Sequence, residues 1–166
     1  TFFESLCHAF STVSTGGFST RNNSISGFDS AAIEWVVAVS MIFSGINIVI
    51  LWWIWKRKIR LIATNSELRF FALLIVLCTF FFGVWIRNSG SFEEVIRDSL
   101  FLVASLLSTT GFSTVDWGFP SAMTGIVLLL LGTGAMAGSS GGGYGSGRLL
   151  QHYRFARREL TQQLKP

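Results

Sequence analysis

The groups in this chain best placed to do chemistry are the main-chain carbonyls and hydroxyls of one repeated loop. Ser11-Thr-Val-Ser-Thr-Gly-Gly-Phe-Ser-Thr20 returns, seven of ten residues identical, as Ser105-Leu-Leu-Ser-Thr-Thr-Gly-Phe-Ser-Thr114. Glycine reaches positive φ at no steric cost, so Gly17 and Gly111 let the backbone turn its oxygens to one side. Thr15 and Thr109 each add a hydroxyl that holds the loop or faces a ligand. The Ser and Thr beyond the glycine can hydrogen-bond to neighbouring backbone. Closely spaced carbonyls of this kind replace the hydration shell of a potassium ion. A single loop would also read as an ordinary Ser/Thr/Gly turn. Two near-identical copies in matching surroundings favour coordination of a bare cation.

Such loops need elements to position them, and the composition says where those elements sit. Half of the 166 residues are hydrophobic and 13% are charged. A soluble domain carries about a quarter charged residues. The mean hydropathy of +0.53, with 16 Phe and 6 Trp, points to a membrane. An irregular loop at membrane depth must be buried in protein or line a watery cavity.

Ile33 to Trp55 reads as one spanning helix, with Trp35 at one end and Trp52, Trp53 and Trp55 at the other as interfacial belts. The basic cluster Lys56-Arg-Lys-Ile-Arg60 follows, then a second apolar run from Phe70 to Ile86, extended by Leu68. Arg87-Asn-Ser-Gly-Ser91 ends that run. Phe92 to Leu107 is too short and too charged to cross, and Glu93 and Glu94 mark its start. It reads as a re-entrant half-helix with its carbonyl end aimed at the second loop. Thr1 to Val13 is its counterpart in the first copy. Phe119 to Met136 is the last apolar run.

Residues 56–69 and 148–166 hold ten Lys/Arg against two acids, whereas the remainder holds three against seven. The positive-inside rule puts the linker and the tail in the cytoplasm and both loops on the outer side. The net charge of +4 reflects this asymmetry and calls for no nucleic-acid partner. The tail sets Arg154, Arg157, Arg158 and Lys165 beside Leu149, Leu150, Tyr153, Phe155 and Leu160. It suits either anionic lipid headgroups or a cytoplasmic regulator.

From Gly132 to Gly147 eight of sixteen residues are glycine. Each glycine costs a helix roughly 1 kcal/mol relative to Ala, so this run should break the inward helix. A phosphate-cradling loop is excluded, because that pattern needs a Lys after its last Gly. A flexible linker remains the plain alternative. Cys7, Cys78, His8 and His152 have no ligand spacing and read as fillers. No acid pair or nucleophile–base set is present, so the chain is not expected to be an enzyme and needs no covalent cofactor.

The two loops, their helix settings and the glycine-rich interruption resemble the Trk/Ktr/HKT superfamily of potassium uptake proteins, most closely its bacterial TrkH branch. Cys7-His-Ala-Phe-Ser-Thr-Val-Ser-Thr-Gly-Gly-Phe-Ser-Thr20, Phe28-Asp-Ser30 and Ala137-Gly-Ser-Ser-Gly-Gly-Gly143 carry the resemblance. It implies an all-α integral membrane protein of a potassium-channel-like fold, built from helix, re-entrant pore helix and loop, and helix repeats. Residues 1–55 would be the pore helix, filter loop and inner helix of an incomplete repeat, 56–69 the cytoplasmic linker, and 70–166 a complete repeat with a glycine-broken inner helix and basic tail.

By the same resemblance Thr15, Gly16, Gly17 and Phe18, with Thr109, Thr110, Gly111 and Phe112, bind potassium through their carbonyls. The rings of Phe18 and Phe112 pack behind the filter. Gly138, Ser139, Ser140, Gly141, Gly142 and Gly143 form a gate. Relatives carry a basic residue soon after the triple glycine, whereas here Tyr144-Gly-Ser-Gly147 precedes Arg148. The implied partners are the remaining pore repeats of a longer chain, a second copy in a homodimer, a cytoplasmic nucleotide-binding ring and membrane lipid. The implied location is a bacterial cytoplasmic membrane, crossed several times. A chain that opens on Thr1, without a signal peptide, is expected to be a piece of a longer polypeptide. Two alternatives stay open. One is a membrane-embedded assembly subunit using small residues for packing, and the other is a sodium-permeable relative.

Overall fold

The computed structural model describes residues 1–86, 90–114 and 121–164. They form eight α-helices: α1 Phe2–Val13, α2 Ala31–Ser44, α3 Ile48–Trp55, α4 Ile59–Thr64, α5 Ser66–Ile86, α6 Phe92–Leu107, α7 Ser121–Thr133 and α8 Ser146–Leu164. A short 3₁₀ turn, Ser24–Phe28, separates α1 from α2. No strand occurs among the described residues. The expected turn at 87–89, the start of the apolar run at Phe119 and the tail residue Lys165 lie outside them.

The two half-helices start with the same device. Thr1 accepts from the Glu4 N–H and Ser91 accepts from the Glu94 N–H, and each glutamate reaches back to the backbone of its cap. α6 is the central element. Its consecutive residues Phe101 to Ser105 are all buried, which an amphipathic surface helix would not allow. On one side it meets Val37, Ala38 and Met41 of α2. On the other it meets Phe71, Phe82 and Ile86 of α5.

Near the N-terminal end of α6, Arg97 Nε faces Glu34 Oε2 of α2 at 2.6 Å. The two atoms meet as an ion contact without hydrogen-bond alignment. Arg97 also pairs with Glu93, and the Trp35 indole donates to Glu93 Oε1 at 2.9 Å. The Trp35 N–H, and after it the Arg97 charge, hold the Glu93 carboxyl below the usual carboxylate range.

α5 is 21 residues long and, among the described residues, the one helix long and apolar enough to cross a membrane alone. The single span expected over Ile33–Trp55 is instead two helices, with α3 turned through 107° from α2 at Gly45–Asn47. A Ser44-Gly45 pair weakens the helix there. Asn47 then leaves the helical region at ψ 131° and caps α3 through Val49 N–H.

The linker expected over 56–69 contains α4, and α5 begins at Ser66, four residues before the expected boundary at 70. Asn65 Oδ1 accepts from Leu68 N–H at 2.9 Å, which starts the helix early. The last apolar run stops being helical at Thr133, before Met136, because Gly134 takes φ 64°.

Candidate functional site: paired loops above a glycine-rich segment

Both half-helices end in the same way. Thr15 and Thr109 adopt left-handed backbone at φ 53° and 58°. Gly16 N–H then bonds to Ser11 O at 2.8 Å, and Thr110 N–H bonds to Ser105 O at 3.1 Å. Thr15 and Thr109 N–H bond one turn back to Thr12 O and Leu106 O, each at 3.2 Å. These are Schellman endings with threonine where glycine is the usual residue. A β-branched residue at positive φ is a strained outlier of the kind found at functional sites. Gly17 and Gly111 follow at φ 70° and 84°, so the reversal repeats two residues on in both loops. The chain thereby leaves each helix C-terminus, the negative end of its dipole, with alternating backbone handedness.

The loops touch. A β-carbon on Gly17 would overlap the carbonyl oxygen of Thr110 and stand 3.1 Å from its carbon. At Gly111 the same position is open, with nothing within 4 Å. The phenylalanines differ in a parallel way. Phe112 is 3% exposed, in a cluster with Ile25, Met41 and Phe101. Phe18, expected behind its loop, is 81% exposed in this chain. Phe112 is covered by Ile25, Val37 and Met41 of the preceding copy together with Phe101 and Ala104 of its own half-helix.

His8 joins the two loops, a role that its isolation in the sequence concealed. Its Nδ1 faces Glu4 O at 2.7 Å and its Nε2 faces the Ser19 hydroxyl at 2.9 Å. The carbonyl partner requires the proton on Nδ1, so Nε2 accepts from Ser19. The ring lies between Phe28, edge-on at 5.1 Å, and Phe112, stacked at 6.0 Å.

The glycine-rich segment runs from Gly134 to Gly145 without helix. Its two ends are clasped: Tyr144 N–H bonds to Gly132 O, Gly145 N–H to Thr133 O and Ser146 N–H to Ala135 O. A β-carbon on Gly143 would stand 2.6 Å from Gly134 Cα, so this clasp needs glycine on both sides. The tip lies against the loops. Thr15 Oγ1 donates to Ser140 O at 3.0 Å, and Gly142 N–H donates to Thr109 Oγ1 at 2.7 Å. Gly141 is pressed on Ser108 O, which a β-carbon would meet at 2.8 Å. The structure therefore brings the tip of 138–143 into contact with both repeated loops.

Two further elements hold this segment, and the sequence marked neither. Glu67 Oε1, in the first turn of α5, accepts from Ala137 N–H at 2.9 Å and from the Ser146 hydroxyl at 3.4 Å. The α2–α3 break contributes Asn47, whose Nδ2 donates to Ala137 O. Among the described residues no group of three His, Cys, Asp or Glu could hold a metal ion. The polar atoms that the loops present are carbonyls and hydroxyls, which suit a hard, weakly hydrated cation.

Known proteins share this fold. The family model for TrkH, described as a cation transport protein, matches residues 1–166. The Trk system potassium uptake protein TrkG of Escherichia coli K12 is 34% identical over 99% of this chain and 35% of its own length. The Trk system potassium uptake protein TrkH of Halomonas elongata is 30% identical over the same shares. The crystal structure of the potassium transporter TrkH from Vibrio parahaemolyticus matches all of this chain and 37% of its own, with a TM-score of 0.88 at 28% identity. The chain thus spans about a third of the length of the relatives it matches. It belongs to the TrkH family of cation transport proteins, which are transporters and not enzymes.

Proposed function

We propose that this member of the TrkH family supplies two adjacent quadrants of a potassium pathway. Thr15, Gly16, Gly17 and Phe18, with Thr109, Thr110, Gly111 and Phe112, would present filter carbonyls to the ion. The segment 138–143 would be the gate beneath them. The observation that carries this reading is the contact of Gly17 with the Thr110 carbonyl, made by two loops with the same backbone turns. Each loop leaves one flank unpaired, at Phe18 and at Gly111. Further loops of the whole protein would cover those flanks and close the ring.

Both loops then open to the outside of a bacterial cytoplasmic membrane, with 56–69 and α8 in the cytoplasm. The ion exchanges water for carbonyl oxygens at the helix C-termini, whose dipoles favour cations. Membrane potential, worth about 2.3 kcal/mol per charge per 100 mV, draws it inward. It leaves past 138–143 once the bonds to Thr15 and Thr109 are released. The whole protein would pair with a second copy and carry a cytoplasmic nucleotide-binding ring, to which α8 offers its exposed basic length.

The test is Gly111→Ser in the full-length protein, with potassium and sodium uptake measured side by side. A loss of potassium preference is expected. Uptake and preference equal to those of the parent would sink the filter assignment.

A further inference from the structure

The break between α2 and α3 uses its freed hydrogen-bonding groups in an ordered way. In a continuous helix Ile48 N–H would bond to Ser44 O, and Val49 N–H would bond to Gly45 O. Here Ser44 O accepts from Ser140 N–H at 3.2 Å, and Ile48 N–H donates to Gly138 O at 3.2 Å. Gly45 O accepts from Met136 N–H at 3.0 Å. Val49 N–H is held by Asn47 Oδ1 at 2.8 Å, while Asn47 Nδ2 reaches Ala137 O. Ser44 O, Gly45 O, Ile48 N–H and Val49 N–H, which would pair with one another in a continuous helix, are thus taken by 136–140 or by Asn47. No proline and no charge stands between Ile42 and Val49 to force the bend.

We propose that the α2–α3 break is the second half of the gate and that Asn47 is its positioning residue. The proposal rests on the reading of 138–143 as the gate. While that segment lies under the loops, it holds α2 and α3 apart through Ser44, Gly45 and Ile48. When it withdraws, those groups pair with one another and Ala31–Trp55 becomes one helix. At 1.5 Å per residue that helix is about 37 Å long, enough to cross a hydrocarbon core of about 30 Å. The bent form is too short in α2 alone, at about 21 Å. Opening therefore exchanges one set of main-chain bonds for another within Ala31–Trp55, while Met136 N–H, Gly138 O and Ser140 N–H turn to the water of the opened path.

The experiment uses the full-length protein in liposomes. Asn47→Asp keeps the oxygen that caps Val49 N–H but replaces the donor to Ala137 O with a second oxygen. If Asn47 holds the gate, potassium leak rises about tenfold, the factor for a lost bond of ~1.4 kcal/mol, with potassium preference unchanged. If Asn47 only caps α3, the leak stays at the parent value, and the positioning role is overturned. The second measurement does not depend on that variant folding. Spin labels at Val39 and Trp55 report the bend in the parent and after deletion of 138–143. Straightening toward a Cα separation of about 24 Å in the deletion variant supports the exchange. A leaky deletion variant that keeps the parent distance overturns it while leaving the gate reading intact. A deletion variant that does not leak removes the gate reading, and this inference with it.

Discussion

Gly17 lies so close to Thr110 that a β-carbon on the first would overlap the carbonyl oxygen of the second. Gly16, its neighbour, has no positive φ, and its β-carbon would meet only movable side-chain atoms of Phe18 and Ser14 at 3.3 Å. Gly17→Ala should therefore abolish potassium uptake by the full-length protein, whereas Gly16→Ala should retain most of it. The left-handed backbone alone adds about 1–2 kcal/mol at Gly17, before the collision with Thr110 is counted. Equal uptake by the two variants in potassium-uptake-deficient cells would deny that the loops abut.

Thr109 holds the tip of the glycine-rich segment by accepting from Gly142 N–H at 2.7 Å. Thr109→Val keeps the shape and removes the acceptor, leaving that N–H unpaired at a penalty of about 1–3 kcal/mol. The proposed gate should then leak potassium in flux assays, and Thr109→Ser should restore closure. Leak that is the same in the Val and Ser variants would assign the effect to packing.

Phe112 fills a cluster with Ile25, Met41 and Phe101. Phe112→Ala should lower the stability of the full-length protein by about 3–5 kcal/mol. If a preceding repeat covers Phe18 as α2 covers Phe112, Phe18→Ala should lower it comparably. Thermal melts of the two variants decide. A melting temperature unchanged by Phe18→Ala would leave that ring uncovered in the whole protein.

Glu67 ties the base of the glycine-rich segment to the start of α8 through Ala137 N–H and the Ser146 hydroxyl. Glu67→Ala strands both donors and should destabilise the closed state, seen as raised leak. Glu67→Gln keeps an acceptor oxygen and should behave much more like the parent. Identical leak in the two variants would point to the negative charge, which also faces the positive end of α8.

Glu93 lies at the N-terminal end of α6, where the Trp35 N–H and Arg97 depress its carboxyl from 4.5. A depressed carboxyl stabilises the fold above its unfolded value and loses that contribution as pH falls through its folded value. Melting temperature should therefore decline below about pH 4.5, and Trp35→Phe, which lets the folded carboxyl return toward its ordinary value, should make that decline smaller. Parent and variant curves that coincide would show that the clamp between α2 and α6 carries no such linkage.

Much of the fold was legible in the sequence. The bounds of α6 followed from Glu93 and Glu94 at one end and the repeated loop at the other, because helix-start acids and positive-φ signals are local. The all-helical membrane character followed from composition, which bilayer physics restricts to few outcomes. The loss of helix in the glycine-rich run followed from glycine density, although it sets in at Gly134, ahead of the expected Met136. The repeat itself set Thr15 and Thr109, and Gly17 and Gly111, in one register.

Other features depended on partners far away in the chain. The local signals in Ile33–Trp55 were weak, since Ser44-Gly45 and Asn47 sit in an apolar run long enough to cross. The break persists because 136–140 takes up the hydrogen bonds that the helix gives up. Glu67 fell within the expected linker 56–69, and His8 read as an isolated filler. Their roles arise from Ala137, Ser146, Ser19 and Phe112, which only folding brings near.

Sequence alone thus determined the half-helices, the glycine positions of the loops and their repetition, all of which rest on residues within a turn or two of each other. The tertiary structure decided which loop meets which, why Phe112 is covered and Phe18 is not, and where a helix bends. Each of those is a choice between competing partners for the same surface or main-chain group, and three-dimensional proximity is what settles it.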